Sequence, residues 1–153
     1  MRLLAIDPAS AKPLAFSVWD YEHKTLLEWG KITLEELEKK LLKEKVEFVV
    51  VEEPYLKQNP RTLMALASVV GQIHYIANRT GTGFLKVPIT TWQKVLHVHP
   101  KAPREARKRR AKEEAARLIK RHSTEACEPQ IDDDIADAIM IGYWAVNNTE
   151  VHK

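Results

Sequence analysis

The residues best equipped for chemistry in this chain are carboxylates, and they fall in three groups. Asp132, Asp133, Asp134 and Asp137 stand in the stretch IDDDIADAIMIGYWA (131–145), ahead of and within an apolar run. Asp7 ends the apolar stretch LLAID, and Glu52 and Glu53 end VEFVVVEE (46–53). Helix capping and the helix dipole account for one or two of Asp132, Asp133 and Asp134, at roughly 0.3–1 kcal/mol each. They do not account for Asp137, one turn further along an otherwise apolar face, nor for acids that close greasy strands. Two carboxylates 4 Å apart repel by about 4 kcal/mol at an effective dielectric near 20. A divalent cation between them removes that cost, and oxygen-only ligands suit Mg²⁺ or Mn²⁺. Two such ions roughly 3.5–4 Å apart form an arrangement that hydrolyses phosphodiesters.

For this chemistry, three distant segments must meet. The stretch RLLAID (2–7) predicts a short buried strand, LAFSVWD (14–20) a second, alternating strand and TLLEWGKI (25–32) a third. The segments between them, PASAKP and YEHK, are turn-like, which predicts an antiparallel meander. Thr33 followed by Glu36 has the form of a capping box at the start of a helix over 34–45, with Leu34, Leu37, Leu41 and Leu42 as its apolar stripe. The nearly continuous, β-branched 46–53 predicts a strand buried on both faces. A helix is expected over 61–78, broken by Gly81 and Gly83, then a fifth strand over 84–88 and a short helix near 91–97. A loop (98–103), a long basic helix (104–122), a second loop (123–131) and the acidic-to-apolar final helix complete the chain. The expectation is one α/β domain, residues 1–153, built on a mixed sheet of about five strands with helices on both faces. If the first and fourth strands are parallel neighbours, their C-terminal ends share the sheet edge where open α/β sheets bind ligands. Asp134 and Asp137, i and i+3 on one helix face, can reach the same point.

Composition narrows the classes. With 153 residues, 44% hydrophobic and 29% charged, the chain can bury one core. No apolar run is long enough for a membrane span, so no membrane partner is expected. MRLLAIDP is too short and too acidic for a secretory signal. A lone Cys127 rules out an internal disulfide and cysteine metal knuckles, which points to a reducing cytoplasm. The six histidines have no zinc-helix spacing; His97 and His99 sit two apart in a loop, and phosphate contact by His97 is the lesser reading.

The net charge of +3 is unevenly spread. Ten of the 24 basic residues lie between positions 101 and 121, opposed only by Glu105, Glu113 and Glu114. A solvated helix face is the ordinary fate of such a run. Beside an acid cluster it points instead to phosphate contacts, through Arg104, Arg107, Lys108, Arg109, Arg110 and Lys112. Contacts of this kind position nucleic acid without reading sequence. Tyr55, with polar and basic neighbours in PYLKQNPR, is a candidate for base contact. Trp92 is at least as well explained by core packing. The helix over 62–78 is apolar on two sides: Leu63, Leu66, Val70, Ile73 and Ala77 form one stripe, while Met64, Ala67, Gly71 and Tyr75 form another. A mid-helix glycine costs about 1 kcal/mol against alanine, so Gly71 calls for a packing reason.

Three blocks together resemble the RuvC-like Holliday junction resolvases of the RNase H-like nuclease superfamily. LLAIDPAS is similar to that family's first strand and its catalytic aspartate, VVVEEPYLKQNPRTLMALASVVGQI to its second block and DDDIADAIMIG to its third. The likeness spans most of the chain; each motif alone is weak, but their order and placement are specific. It implies an RNase H-like fold with Asp7, Glu52, Asp134 and Asp137 as catalytic metal ligands. Glu52 is preferred over Glu53 because it stands three residues before Tyr55. Two departures stand out: Ala9 replaces the family's usual glycine, and Asp132 and Asp133 are extra acids, of which Asp133 could share the metal. The family's active-site lysine has no sure counterpart; Lys94 in WQK is nearest, and the basic helix is another source. The resemblance also implies that Tyr55 stacks on bases at the junction centre, and that the second face of the 62–78 helix forms a two-fold dimer, so that two sites cut two strands of a four-way DNA junction.

The implied reaction is Mg²⁺- or Mn²⁺-dependent phosphodiester hydrolysis, with two ions per site. One activates water and the second stabilises the leaving 3′ oxygen, giving 5′-phosphate and 3′-hydroxyl ends. Two other readings stay open: an RNase H-like nuclease for other branched DNA or RNA, and a non-catalytic nucleic-acid binding module of the same fold. The complete acid set argues against the second. A branch-migration helicase as a further partner leaves no mark in the residues.

Overall fold

Two parallel strands at the centre of one sheet carry the acids that end them. A computed structural model describes residues 1–9, 13–55, 59–122 and 131–150. Its strands are β1 (Arg2–Asp7), β2 (Leu14–Asp20), β3 (Thr25–Ile32), β4 (Val46–Glu52) and β5 (Gly83–Val87). They lie in the order β3-β2-β1-β4-β5. β1–β2 and β2–β3 are antiparallel, while β1–β4 and β4–β5 are parallel. The expected mixed sheet and opening meander are therefore both present.

Helices cover both faces. α1 (Leu34–Lys43) and α2 (Pro60–Arg79) pack on one; the other carries α3 (Ile89–Trp92), a 3₁₀ turn (Gln93–Leu96), α4 (Arg104–His122) and α5 (Asp133–Asn148). Period-two alternation sorts the strands' side chains between them. Leu4, Ile6, Phe16, Val49 and Val51 meet Leu37, Leu41, Val70 and Ile73 on the α1/α2 side. Leu3, Ala5, Trp19 and Val50 meet Leu118, Ile139 and Met140 on the α4/α5 side. By the same alternation, Asp7 (after Leu3 and Ala5) and Glu52 (after Val50) point toward α5. Gly142 lets α5 lie close to the sheet, since a Cβ there would collide with the Trp19 ring and the Ser17 hydroxyl.

Local signals act as expected at Thr33, which caps α1 through a complete capping box with Glu36. One expectation fails: Leu42 is 61% exposed, because it sits one residue off the Leu37–Leu41 stripe and the helical turn carries it outward. α2 begins at Pro60, whose missing N–H is costless in a first turn, and ends at Arg79 ahead of Gly81, which has φ +71°. Gly83 does not break the helix but opens β5, where it leaves room for the Phe48 ring. The positive-φ non-glycine residues among those described are Lys24, Lys45 and His97, so Ala9 holds an ordinary backbone after Asp7. The loop over 123–131, apart from Ile131, lies outside the described residues, as do Cys127, His152 and part of the turn after Ala9.

Candidate active site

Pairing of β1 with β4 runs to Ile6 opposite Val51, which sets Asp7 and Glu52 side by side at the C-terminal edge. α5 crosses that edge, and Asp134 and Asp137 enter the same cleft of about 620 Å³. The four expected acids thus come from three segments to one place. Asp7 is nearly buried beside Glu52 in this cleft. Burial first, then the charges of Glu52 and Asp137, hold Asp7 well above the usual carboxylate range. Burial and the charges of Glu52 and Asp134 likewise push Asp137 up to about 8.

The flanking acids have other partners. Asp132 caps α5 by accepting the Ile135 N–H at 2.8 Å, and it pairs with Lys31 at 2.9 Å. Lys31 also reaches Asp134 at 3.5 Å. Asp133 turns away to α4, meeting Lys112 at 3.0 Å and Lys108 at 3.3 Å. Hydrogen bonds from these lysines lower its pKa. Asp133 is therefore neutralised by protein cations, whereas Asp7 and Asp137 are not. Glu53 lines the cleft, and its backbone N–H extends the sheet to Val87 at 2.8 Å. The charges that chiefly raise Asp7 and Asp137 are those of Glu52 and Asp134 and, for Asp7, Asp137.

Among the described residues no three Asp, Glu, His or Cys side chains are drawn together as a formed metal cluster. The donor chemistry nevertheless fits a hard divalent cation. All four groups are carboxylates around one opening, and burial and mutual repulsion, which raise Asp7 and Asp137, are what a bound cation would relieve.

This arrangement has a stability consequence. Groups whose folded pKa is raised contribute stability that is fully present below their unfolded pKa, near 4, and lost as pH rises through the folded value. The metal-free protein is therefore expected to melt at lower temperature at pH 9 than at pH 6, and millimolar Mg²⁺ should flatten that fall. Asp137→Asn should flatten it without metal. A metal-free melting temperature that rises across the interval would contradict the assigned charges.

α4 also contributes Arg104, Arg107 and Lys108 to the cleft. Arg107 donates to Gln93 Oε1 at 3.3 Å, and its buried Nε has no hydrogen-bond partner among the described residues. Arg109 is exposed. Arg110 and Lys112 are engaged within the protein: Arg110 donates to the Leu96 carbonyl at 3.2 Å and pairs with Glu114 at 3.1 Å, while Lys112 holds Asp133. Lys94 is exposed and outside the cleft lining, whereas Lys108 lines the cleft and Lys31 reaches Asp134. Tyr55 lines the cleft and is 42% exposed. His97 is exposed at the end of the 3₁₀ turn.

Two contributors carry no signal in the sequence pattern. Lys31 lies in the same cross-strand row as Ala15 and Asp7. Its alternation gives no sign of where the side chain lands. Trp92 is fully buried, as core packing predicts, yet its indole N–H donates to Glu52 Oε1 at 3.3 Å.

No family model matches this sequence, and no curated protein matches it. Solved structures do resemble it. RuvC of Thermus thermophilus in complex with a Holliday junction substrate aligns over 94% of this chain and 92% of its own, with TM-score 0.67 and 19% identity. The Thermus thermophilus RuvC structure aligns over the same shares, at TM-score 0.68 and 19% identity. The yeast mitochondrial Holliday junction resolvase Ydc2 aligns over 94% of this chain and 77% of its own, at TM-score 0.54 and 14% identity. The fold is thus that of the RuvC-like resolvases, an RNase H-like mixed sheet. No helix among the described residues is long and apolar enough to cross a membrane.

Proposed function

We propose that this protein is a structure-specific endonuclease that resolves four-way DNA junctions, working as a homodimer in recombination and repair. One observation carries the reading. Asp7 and Glu52 end two neighbouring parallel strands and line one cleft together with Asp134, Asp137, Arg104, Arg107 and Lys108. A cleft lined by both carboxylates and basic side chains fits a phosphodiester held by metal ions and by protein cations. The four carboxylates would hold two Mg²⁺ or Mn²⁺ ions, which supply water activation and charge neutralisation at the leaving oxygen. The chain's own residues hold the acids at fixed spacing, orient the phosphate through Arg107 and Lys108, and offer Tyr55 at the rim to an unstacked base. The expected ends are 5′-phosphate and 3′-hydroxyl.

The decisive assay uses matched four-way, three-way and linear duplexes, with and without Mg²⁺. Paired nicks confined to the four-way junction and dependent on Mg²⁺ are expected. Equal cutting of all three would favour a nuclease of broader substrate range, and binding without cutting would favour a non-catalytic module.

The basic helix makes a separate prediction. Arg104, Lys108 and Arg109 changed together to alanine should weaken binding alike for all sequences. The slope of log affinity against log salt should shrink by about 0.9 for each phosphate no longer neutralised. An unchanged slope would make the run a solvated face. Arg110→Ala should instead mainly lower stability, since it removes a bond to the Leu96 carbonyl.

A further inference from the structure

Between the acids and the basic helix lies one short helical segment, residues 89–96. Among the described residues, three side-chain hydrogen bonds join it to the elements around it. The Trp92 indole N–H donates to Glu52 Oε1 at 3.3 Å on the acid side. The next residue, Gln93, accepts from Arg107 Nη1 at 3.3 Å on the basic side. One turn later the Leu96 carbonyl accepts from Arg110 Nε at 3.2 Å. Trp92 and Leu96 are buried, so the segment is anchored in the core while it touches Glu52 and α4.

We infer that residues 89–96 form a bracket that sets the spacing between the metal-binding acids and the phosphate-binding helix, with Trp92 positioning Glu52 and Gln93 positioning Arg107. This role rests on the nuclease reading and deepens it. A fully buried indole N–H must find an acceptor, and here the acceptor is a proposed ligand carboxylate. By donating to Oε1, the indole constrains the glutamate's rotation. Outer partners of this type commonly govern metal affinity. The carboxamide of Gln93 takes up one end of the Arg107 fork and so fixes the direction of the rest. Adjacent residues thus serve the acids and the basic helix.

The consequence is a split of phenotypes between neighbours. Trp92→Phe keeps an aromatic ring in the core, though a smaller one, and deletes the donor. It should weaken Mn²⁺ binding to the free protein, measured by electron paramagnetic resonance, by about tenfold, while metal-free junction binding stays unchanged. Gln93→Ala should do the reverse, weakening junction binding in EDTA about fivefold with Mn²⁺ affinity unchanged. If the wild type binds Mn²⁺ and Trp92→Phe binds it equally well, the bracket is wrong and the nuclease reading stands. If the wild type binds no Mn²⁺, the nuclease reading fails and the bracket with it. Equal effects of both variants on both ligands would also overturn the split. Should Trp92→Phe fold poorly, indole N–H spectra of the wild type test the same contact. Of the four tryptophans, one indole peak alone should move markedly in Glu52→Ala. No such movement would overturn the assignment.

Discussion

Asp7→Asn is expected to abolish strand cleavage while junction binding survives almost intact. The substitution removes a carboxylate ligand from the centre of the acid cluster and, with it, a group whose ionisation is opposed by burial and by the charges of Glu52 and Asp137. A change to a metal's outer shell alone typically costs 10–100-fold. Loss of a ligand should therefore lower the single-turnover rate by at least about 100-fold. The proposed phosphate contacts lie on α4 and are untouched, so affinity in EDTA should hold. The variant should also melt higher than wild type without metal at pH 8, because a carboxyl that resists ionisation there becomes a neutral amide. Glu52→Gln should match it in rate. Glu53→Gln should be far milder, because the charges that chiefly raise Asp7 and Asp137 are those of Glu52 and Asp134 and, for Asp7, Asp137. Cleavage at the wild-type rate by Asp7→Asn in Mg²⁺ would end the metal assignment, and equal losses at Glu52 and Glu53 would undo the choice between them.

That the acids can be found at all follows from how strands encode geometry. A strand's alternation fixes which face each side chain joins, and a nearly continuous apolar run marks a central position. Asp7 and Glu52 each end such a run, so neighbouring parallel strands place them side by side. Spacing of i, i+3 then puts Asp134 and Asp137 on one face of α5. The division of labour among the remaining aspartates is less legible. Asp132 and Asp133 read alike in sequence, yet helix phase sends one to the cap and Lys31 and the other to Lys108 and Lys112.

Contacts between distant segments are the hardest to read. Lys31 meets Asp134 across 103 positions, and its strand pattern says only which face it joins. The choice between Lys94 and Lys108 turns on the phase of a short helical segment, where one residue of shift reverses inside and outside. Trp92 is legible as core, but a buried indole's polar edge needs a partner that composition cannot name. Leu42 fails for a simpler reason: a stripe two residues wide at its end cannot all face inward.

Gly71→Leu is expected to convert a dimer into a folded monomer that nicks a junction once but no longer cuts two strands in concert. On α2 the core stripe is Val69, Val70, Ile73 and Ala77. The opposite face carries Met64 at 71% exposure and Tyr75 at 65%, with Ala67 and Gly71 exposed between them. Two large apolar side chains around a pair of small residues suit close approach of a second copy of the helix across a two-fold axis. A Cβ on Gly71 would meet nothing within 4 Å in the single chain. Overpacking of the protomer is thereby removed as an explanation for any loss. Replacing glycine in an exposed helix interior should in fact stabilise an isolated protomer by up to about 1 kcal/mol. The two effects separate cleanly. Light scattering should report half the wild-type mass, circular dichroism should stay native, and the melting temperature of the monomer should not fall. Junction nicking should continue at one strand, with the second cut uncoupled because the partner site leaves before it acts. A wild-type protein that stays monomeric at micromolar concentration with a junction bound would remove the dimer from the proposal, and symmetric resolution with it.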